Sequence, residues 1–122
     1  MRSLFLGLAL TLMGGSALAQ PAWLSCYADI ADARLVYVSG AVPAQASNVR
    51  RDGDRLTTTD SRAYAAQEPF NAYVEAQLGR PIFGAECELF LSVKAAQAHA
   101  AGLRGRWTNY RFIETGWVGD KP

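Results

Sequence analysis

The chain has 122 residues, of which 50% are hydrophobic and 19% are charged. This length suits one compact domain, and the hydrophobic fraction is too high for an intrinsically disordered chain. Arg2 is one of 12 basic residues, and all 11 acidic residues follow position 19, so the chain from residue 20 onward has no net charge. We therefore expect no bulk attraction to nucleic acid or to an anionic membrane.

The N-terminal segment has the pattern of a secretory signal peptide. Arg2 precedes an apolar run at 4–13, and a zone of small residues ends with Ala17-Leu18-Ala19. The run is about half the roughly 20 residues that a membrane-spanning helix needs, so a retained anchor is the weaker interpretation. We expect a signal peptide at residues 1–19 and a single exported domain at residues 20–122. The mature protein is predicted to be periplasmic or secreted, without stable membrane insertion.

Cys26 and Cys87 are the only cysteines. An even number of cysteines in a small exported domain favours a disulfide, and with two cysteines only one pairing exists. A metal site would need more Cys or His ligands, and His99 is the only histidine. The sequence therefore predicts one disulfide, no metal and no other cofactor.

The first half of the mature chain contains one clear strand. Residues 34–39, Arg-Leu-Val-Tyr-Val-Ser, are rich in β-branched and aromatic types and precede Gly40. Residues 22–33 show no sustained period, and we expect an irregular or short extended lead-in there. Residues 43–59 contain the turn-forming dipeptide Asp52-Gly53 and several polar residues, which predicts a long loop.

The second half alternates helices with strands. Pro69 suits the first turn of a helix that stops at Gly79, and Ser92 is a good N-cap for an alanine-rich helix. The predicted elements are a helix at 68–78, a strand at 85–91, a helix at 93–101 and a strand at 110–115. This β-α-β-α-β order predicts an α+β domain with a small three-stranded sheet, two main helices and one disulfide, with parallel pairing where a helix connects two strands.

Few residues offer catalytic chemistry. His99 lies among alanines near the end of its helix, and an exposed position is the simpler interpretation. Glu86 and Glu88 flank Cys87, so both project to the side of the strand opposite to Cys87. They are either ordinary solvent-facing charges or an acid–base pair. A small periplasmic hydrolase or lyase that uses Glu86, Glu88 or His99 is therefore the alternative function.

Arginine and aromatic residues form two groups that suit binding. The candidate binding residues are Arg50, Arg51 and Arg55 in the predicted loop, and Arg104, Arg106, Trp107 and Tyr110 near the C-terminus. A guanidinium group beside an aromatic ring suits a carboxylated or phosphorylated ligand. Solvated arginines beside a core tryptophan are the competing interpretation. Trp23 and Trp117 are two further aromatic side chains that we expect to be available at the surface.

Cys26, the strand at 35–39, the helix ending at Gly79, Cys87 and the terminal Glu114-Thr115-Gly116-Trp117 occur together in this chain. In these features it resembles small, uncharacterised secreted or periplasmic proteins of Gram-negative bacteria, a resemblance that implies export and carries no activity with it. The order of elements is also similar to that of small domains that bind peptidoglycan glycan strands, although a second βαβ unit is missing.

These observations predict an exported, non-catalytic binding module that acts on an envelope protein or on a peptidoglycan or other glycan component. An inhibitor or immunity protein against an envelope-directed enzyme is one concrete form of this function, because a small disulfide-bonded domain loses little conformational freedom on binding.

Overall fold

The computed structural model describes residues 20–46, 49–58, 66–82 and 84–119, so the predicted signal peptide at 1–19 lies outside the described residues. Six strands and two α-helices make up the described chain. In chain order they are β1 (Gln20–Ile30), β2 (Leu35–Ala46), β3 (Val49–Asp52), β4 (Arg55–Thr58), α1 (Gln67–Leu78), β5 (Glu86–Phe90), α2 (Val93–Arg106) and β6 (Arg111–Glu114). A short 3-10 helix, Ala31–Ala33, joins β1 to β2.

The strands form one mixed sheet in the order β3-β4-β5-β1-β2-β6. Only β2 and β6 are parallel, and the other four neighbouring pairs are antiparallel. The prediction of a small three-stranded sheet is therefore wrong. The α+β class, the two helices and the single disulfide are confirmed.

Strand β1 occupies the segment that we expected to be an irregular lead-in. Its alternate residues are buried on one side of the sheet, and they are Ala22, Leu24, Cys26, Ala28 and Ile30. Three of these five side chains are small, and Ser25 and Asp29 interrupt the other side, so the period of two was hard to see in the sequence. The strand is nevertheless central, because it pairs with both β2 and β5.

The predicted loop at 43–59 is also wrong for the described part of that range. Strand β2 continues to Ala46, and β3 and β4 form a hairpin whose register pairs Asp52 with Arg55. Gly53 adopts a φ of 65° at the turn, a conformation that glycine accepts readily. The Asp-Gly turn prediction was sound, but the exposed arginines on either side concealed two short edge strands.

The sheet is strongly curved. A three-residue step from Ala46 to Val49 spans at most about 11 Å, whereas the four strand spacings that separate β2 from β3 would amount to about 19 Å in a flat sheet. Curvature brings β3 back toward the end of β2, and Val49 packs against the same hydrophobic cluster that contains Ala46.

Side chains pack on both faces of the sheet. The inner face, on the side of Cys26, is covered by Phe70 and Val74 of α1 and by Trp117. The outer face, on the side of Val36, is covered by α2 through the fully buried Leu103. The functional candidates of the C-terminal half therefore lie mainly where α2 meets the outer face.

The disulfide joins Cys26 of β1 to Cys87 of β5, which are direct partners in the register of these two strands. Both cysteines are buried, so the bond connects the centre of the sheet beneath the inner core. No helix within the described ranges is long and apolar enough to cross a membrane.

Candidate functional site

Helix α2 places its side chains across the outer face of β1, β2 and β5. Ser92 is its N-cap, since the Ser92 Oγ accepts a hydrogen bond of 3.1 Å from the backbone N–H of Ala95. The helix extends to Arg106, one and a half turns beyond the predicted end, and passes through Gly102. This extension carries Arg104 and Arg106 on a regular helix.

The side chain of His99 points toward the sheet. Only 13% of it is exposed, and its Nδ1 lies 2.8 Å from the Oγ of Ser25, a residue with no exposed surface. The ring also packs 5.0 Å from that of Phe90. The expected exposed position of His99 is therefore wrong, because the surrounding alanines allow the helix to approach the sheet closely rather than marking a solvent-facing side.

Two glutamates of β5 lie on the same outer face, as predicted, but they have different partners. The Oε2 of Glu88 is 3.5 Å from the Nε2 of His99, and its Oε1 is 2.9 Å from the Nε of Arg55. Glu86 instead accepts a hydrogen bond of 3.0 Å from the hydroxyl of Tyr27. Ser25, His99, Glu88 and Arg55 thus form a line of polar groups across β1, α2, β5 and β4, which we call the His99 line.

Burial sets the charge state of His99. Loss of hydration lowers the pKa of His99 below its usual 6.5, the carboxylate of Glu88 acts in the opposite direction, and Arg55 and Arg106 lower the pKa further. The imidazole is therefore neutral near pH 7. The Nε2 of His99 and the Oε1 of Glu88 are buried without a hydrogen-bond partner among the described residues, so the hydrogen bond between Nδ1 and the Ser25 Oγ is the one that fixes the ring.

A hydroxyl, an imidazole and a carboxylate in sequence resemble the groups of a hydrolytic triad. The hydroxyl of Ser25 is, however, fully buried beneath α2, so a substrate has no access to it in this fold. Glu88, with 24% of its side chain exposed, is the most accessible member able to exchange a proton. The line is best suited to fixing α2 on the sheet.

The C-terminal end of α2 brings three of the predicted binding residues together. The guanidinium carbon of Arg106 lies 4.6 Å from the centre of the Trp107 ring and 5.4 Å from that of Tyr27. The Trp107 ring is in turn 6.5 Å from the ring of Tyr110. One Nη of Arg106 also lies 3.4 Å from the hydroxyl oxygen of Tyr27, to which it donates. We call Arg106, Trp107, Tyr110 and Tyr27 the Arg106 cluster.

Arg104 lies apart from this cluster. Its guanidinium carbon is 4.5 Å from the centre of the Phe112 ring, and its Nη2 is 3.5 Å from the Oε2 of Glu114. Arg104, Phe112 and Glu114 all border a groove of about 340 Å³ between α2 and the strands β2 and β6.

The three arginines expected to share a loop do not form one patch. Arg55 joins the His99 line on the outer face, whereas Arg51 lies opposite the buried Leu56 and therefore on the inner side of the sheet. Arg50 is exposed on the edge strand β3. The period of two along a strand sends neighbouring arginines to opposite faces, which a loop would not do.

Trp117 is not available at the surface as we expected. It is only 7% exposed and packs edge-on against Phe70, with ring centres 5.2 Å apart. Ser25, Tyr27 and Phe112 also belong to the site, although the sequence did not predict them there. Ser25 and Tyr27 are two positions apart, so both side chains lie on the same face if the segment is a strand. This signal could be used only if β1 was recognised as a strand.

Within the described ranges, no group of three or more His, Cys, Asp and Glu side chains is arranged to hold a metal ion. Comparisons with family models, with curated proteins and with solved structures show no significant match to this chain. The function must therefore be argued from the Arg106 cluster, the groove and the His99 line alone.

Proposed function

We propose that this protein is an exported, non-catalytic binding module that recognises an acidic group on an envelope protein or cell-wall component. The observation that carries the proposal is the position of the Arg106 guanidinium, which lies against two aromatic rings while the residue remains exposed.

The packing of Arg106 orients its donors before a ligand arrives. Tyr27 accepts from one Nη, and no carboxylate of the described residues lies within ion-pair distance of Arg106, so further N–H groups are free to bind a partner. A planar guanidinium binds a carboxylate or phosphate with two parallel hydrogen bonds. Holding it in place beforehand reduces the entropy lost on binding.

Trp107 and Tyr110 supply aromatic surface beside these donors. Both are partly buried, which leaves part of each side chain for contact with a partner. Tryptophan, tyrosine and arginine are the residue types that most often dominate the energy of protein interfaces. The disulfide between two central strands adds rigidity beneath the surface, as an inhibitor or immunity protein would require.

Affinity capture tests the proposal. The tagged protein is incubated with native envelope material and culture fluid, and the retained components are identified by mass spectrometry and by sugar analysis. We expect Arg106→Gln and Trp107→Ala to reduce retention of the partner at least tenfold, because each removes an anchor of the surface.

Arg51→Gln is the matched control, since it removes an exposed arginine from the opposite side of the sheet. Circular dichroism establishes that all variants remain folded. Equal retention by the native protein, Arg106→Gln and Trp107→Ala would refute this surface as the site of binding.

A hydrolase or lyase is the second candidate, and the 3.5 Å approach of Glu88 to His99 favours it. The burial of Ser25 leaves Glu88 and His99 as its acid–base groups. Release of products from isolated envelope material by the native protein, and its loss in Glu88→Gln, would support this function in place of binding.

A further inference from the structure

The groove between α2 and β6 has the size and chemistry of a small-ligand site. Its volume of about 340 Å³ lies at the lower end of the roughly 300–1,000 Å³ that small-molecule sites occupy. Its lining combines the apolar side chains of Val38 and Phe112 with the polar side chains of Gln97, Arg104 and Glu114.

The shape of the groove follows from small residues and a bulge. The register of β1 and β2 shifts at this point, where Gly40 adopts a φ of 75° and provides no side chain. On the facing wall, Ala100 and Ala101 of α2 also have short side chains, so the space beside Phe112 stays open, with the largely buried Val38 at its base. An apolar side chain of a ligand would therefore contact an apolar floor.

The charged groups at the groove form a weak pair. Arg104 and Glu114 approach to 3.5 Å, at the limit of a hydrogen bond, and their side chains are 57% and 74% exposed. Exposed pairs of this kind contribute little to stability, so the two side chains can separate at small cost. Stacking on Phe112 nevertheless keeps Arg104 at the groove.

The two opposite charges select the ligand. A ligand with only a negative charge would be attracted by Arg104 but repelled by Glu114. A ligand with only a positive charge would be attracted by Glu114 but repelled by Arg104. A zwitterion satisfies both groups, with its carboxylate on Arg104 and its ammonium on Glu114. The amide of Gln97 is a further hydrogen-bonding group in the lining.

We propose that this groove binds a free α-amino acid with an apolar side chain, in its zwitterionic form. The side chain packs on Val38 and Phe112, while Arg104 and Glu114 hold the two charged groups. This site is distinct from the Arg106 cluster, and it does not depend on that cluster binding an envelope component.

Binding is measured by two-dimensional NMR of the ¹⁵N-labelled protein with its disulfide formed, using leucine, leucinamide and N-acetylleucine as probes. We expect leucine to shift the amide signals of Gly40, Ala100 and Ala101. Leucinamide, which lacks the carboxylate, and N-acetylleucine, which lacks the ammonium, should each bind at least tenfold more weakly.

Two variants assign each charge. Arg104→Gln should weaken leucine binding at least tenfold and remove the preference for leucine over leucinamide. Glu114→Gln should remove the preference for leucine over N-acetylleucine. If either residue had only a structural role, its substitution would weaken the binding of all three probes alike. It would not remove one preference while leaving the other intact.

Arg80→Gln is the matched control, because Arg80 belongs to another exposed ion pair, with Asp32, beside a separate cavity of about 290 Å³. It should leave leucine binding unchanged. The absence of shifts at the groove with millimolar leucine, or equal binding of all three probes, would overturn the proposal while leaving the capture experiment on Arg106 unaffected.

Discussion

The imidazole of His99 connects the helix α2 to the centre of the sheet. It contacts Ser25 of β1 and Glu88 of β5 with its two ring nitrogens, at 2.8 Å and 3.5 Å. Its burial lowers its pKa, so the folded protein favours the neutral ring. A buried neutral histidine makes the stability of a fold depend on pH.

We predict that the protein loses stability as the pH falls from about 6.5. In the unfolded chain His99 takes up a proton near its usual pKa of 6.5, whereas in the folded chain its pKa is lower. Over the interval between these two pKa values the unfolded state binds more protons, so the free energy of unfolding decreases with falling pH. Urea unfolding at a series of pH values measures this decrease.

His99→Gln removes the titrating group, so its free energy of unfolding should change less over the same interval. Glu88, Arg55 and Arg106, the charged groups that face the ring, remain in the variant, so a difference between the two pH curves is assigned to the loss of the imidazole. Parallel pH curves for the native protein and the variant would contradict the assignment of this effect to His99.

The stability of helix α2 depends on its N-cap and on the side chains that it buries against the sheet. The helix is rich in alanine, and Ala96 and Leu103 are its only fully buried residues. The N-terminal cap at Ser92 was predicted from the sequence and is confirmed. Since α2 carries His99, Arg104 and Arg106, loosening its first turn affects the element that presents all three.

Ser92→Ala should lower the free energy of unfolding by about 1 kcal/mol, because a backbone N–H of the first turn loses its acceptor. Ser92→Asp keeps an acceptor oxygen at the same position and should retain most of the stability. Urea unfolding at pH 7.5 compares the three proteins. An equal loss in both variants would mean that the cap hydrogen bond does not contribute as the geometry implies.

The disulfide joins distant parts of the chain. Cys26 and Cys87 are separated by 61 residues, and they join two neighbouring strands at the centre of the curved sheet. The edge strands β3 and β6 are only four residues long. The central pair β1 and β5 therefore holds the two halves of the sheet together.

The double variant Cys26→Ala, Cys87→Ala should lose about 4 kcal/mol of stability in the loop-entropy model, because an unfolded chain without the bond is far less restricted. Chemical unfolding of this variant and of the native protein in its oxidised and reduced forms measures the effect. A loss below about 1 kcal/mol would mean that the unfolded state stays compact without the bond.

Features that depend on local chemistry could be predicted from the amino-acid sequence. Helix α1 with its stop at Gly79, the cap at Ser92, the turn at Gly53 and the pairing of the only two cysteines each follow from the preferences of a few adjacent residues or from their number. The grouping of Arg106 with Trp107 and Tyr110 also followed from their nearness in the chain.

The six-stranded sheet and the environment of the site residues depend instead on how distant parts of the chain pack together. Strand β1 is central because β2 and β5 pair with it from both sides, and a weakly alternating sequence does not reveal such distant partners. The burial of His99, its contact with Ser25 across 74 positions and the groove at Arg104 arise only when α2 packs on the sheet. Contacts between residues far apart in sequence depend on how whole elements pack, which local propensity does not encode.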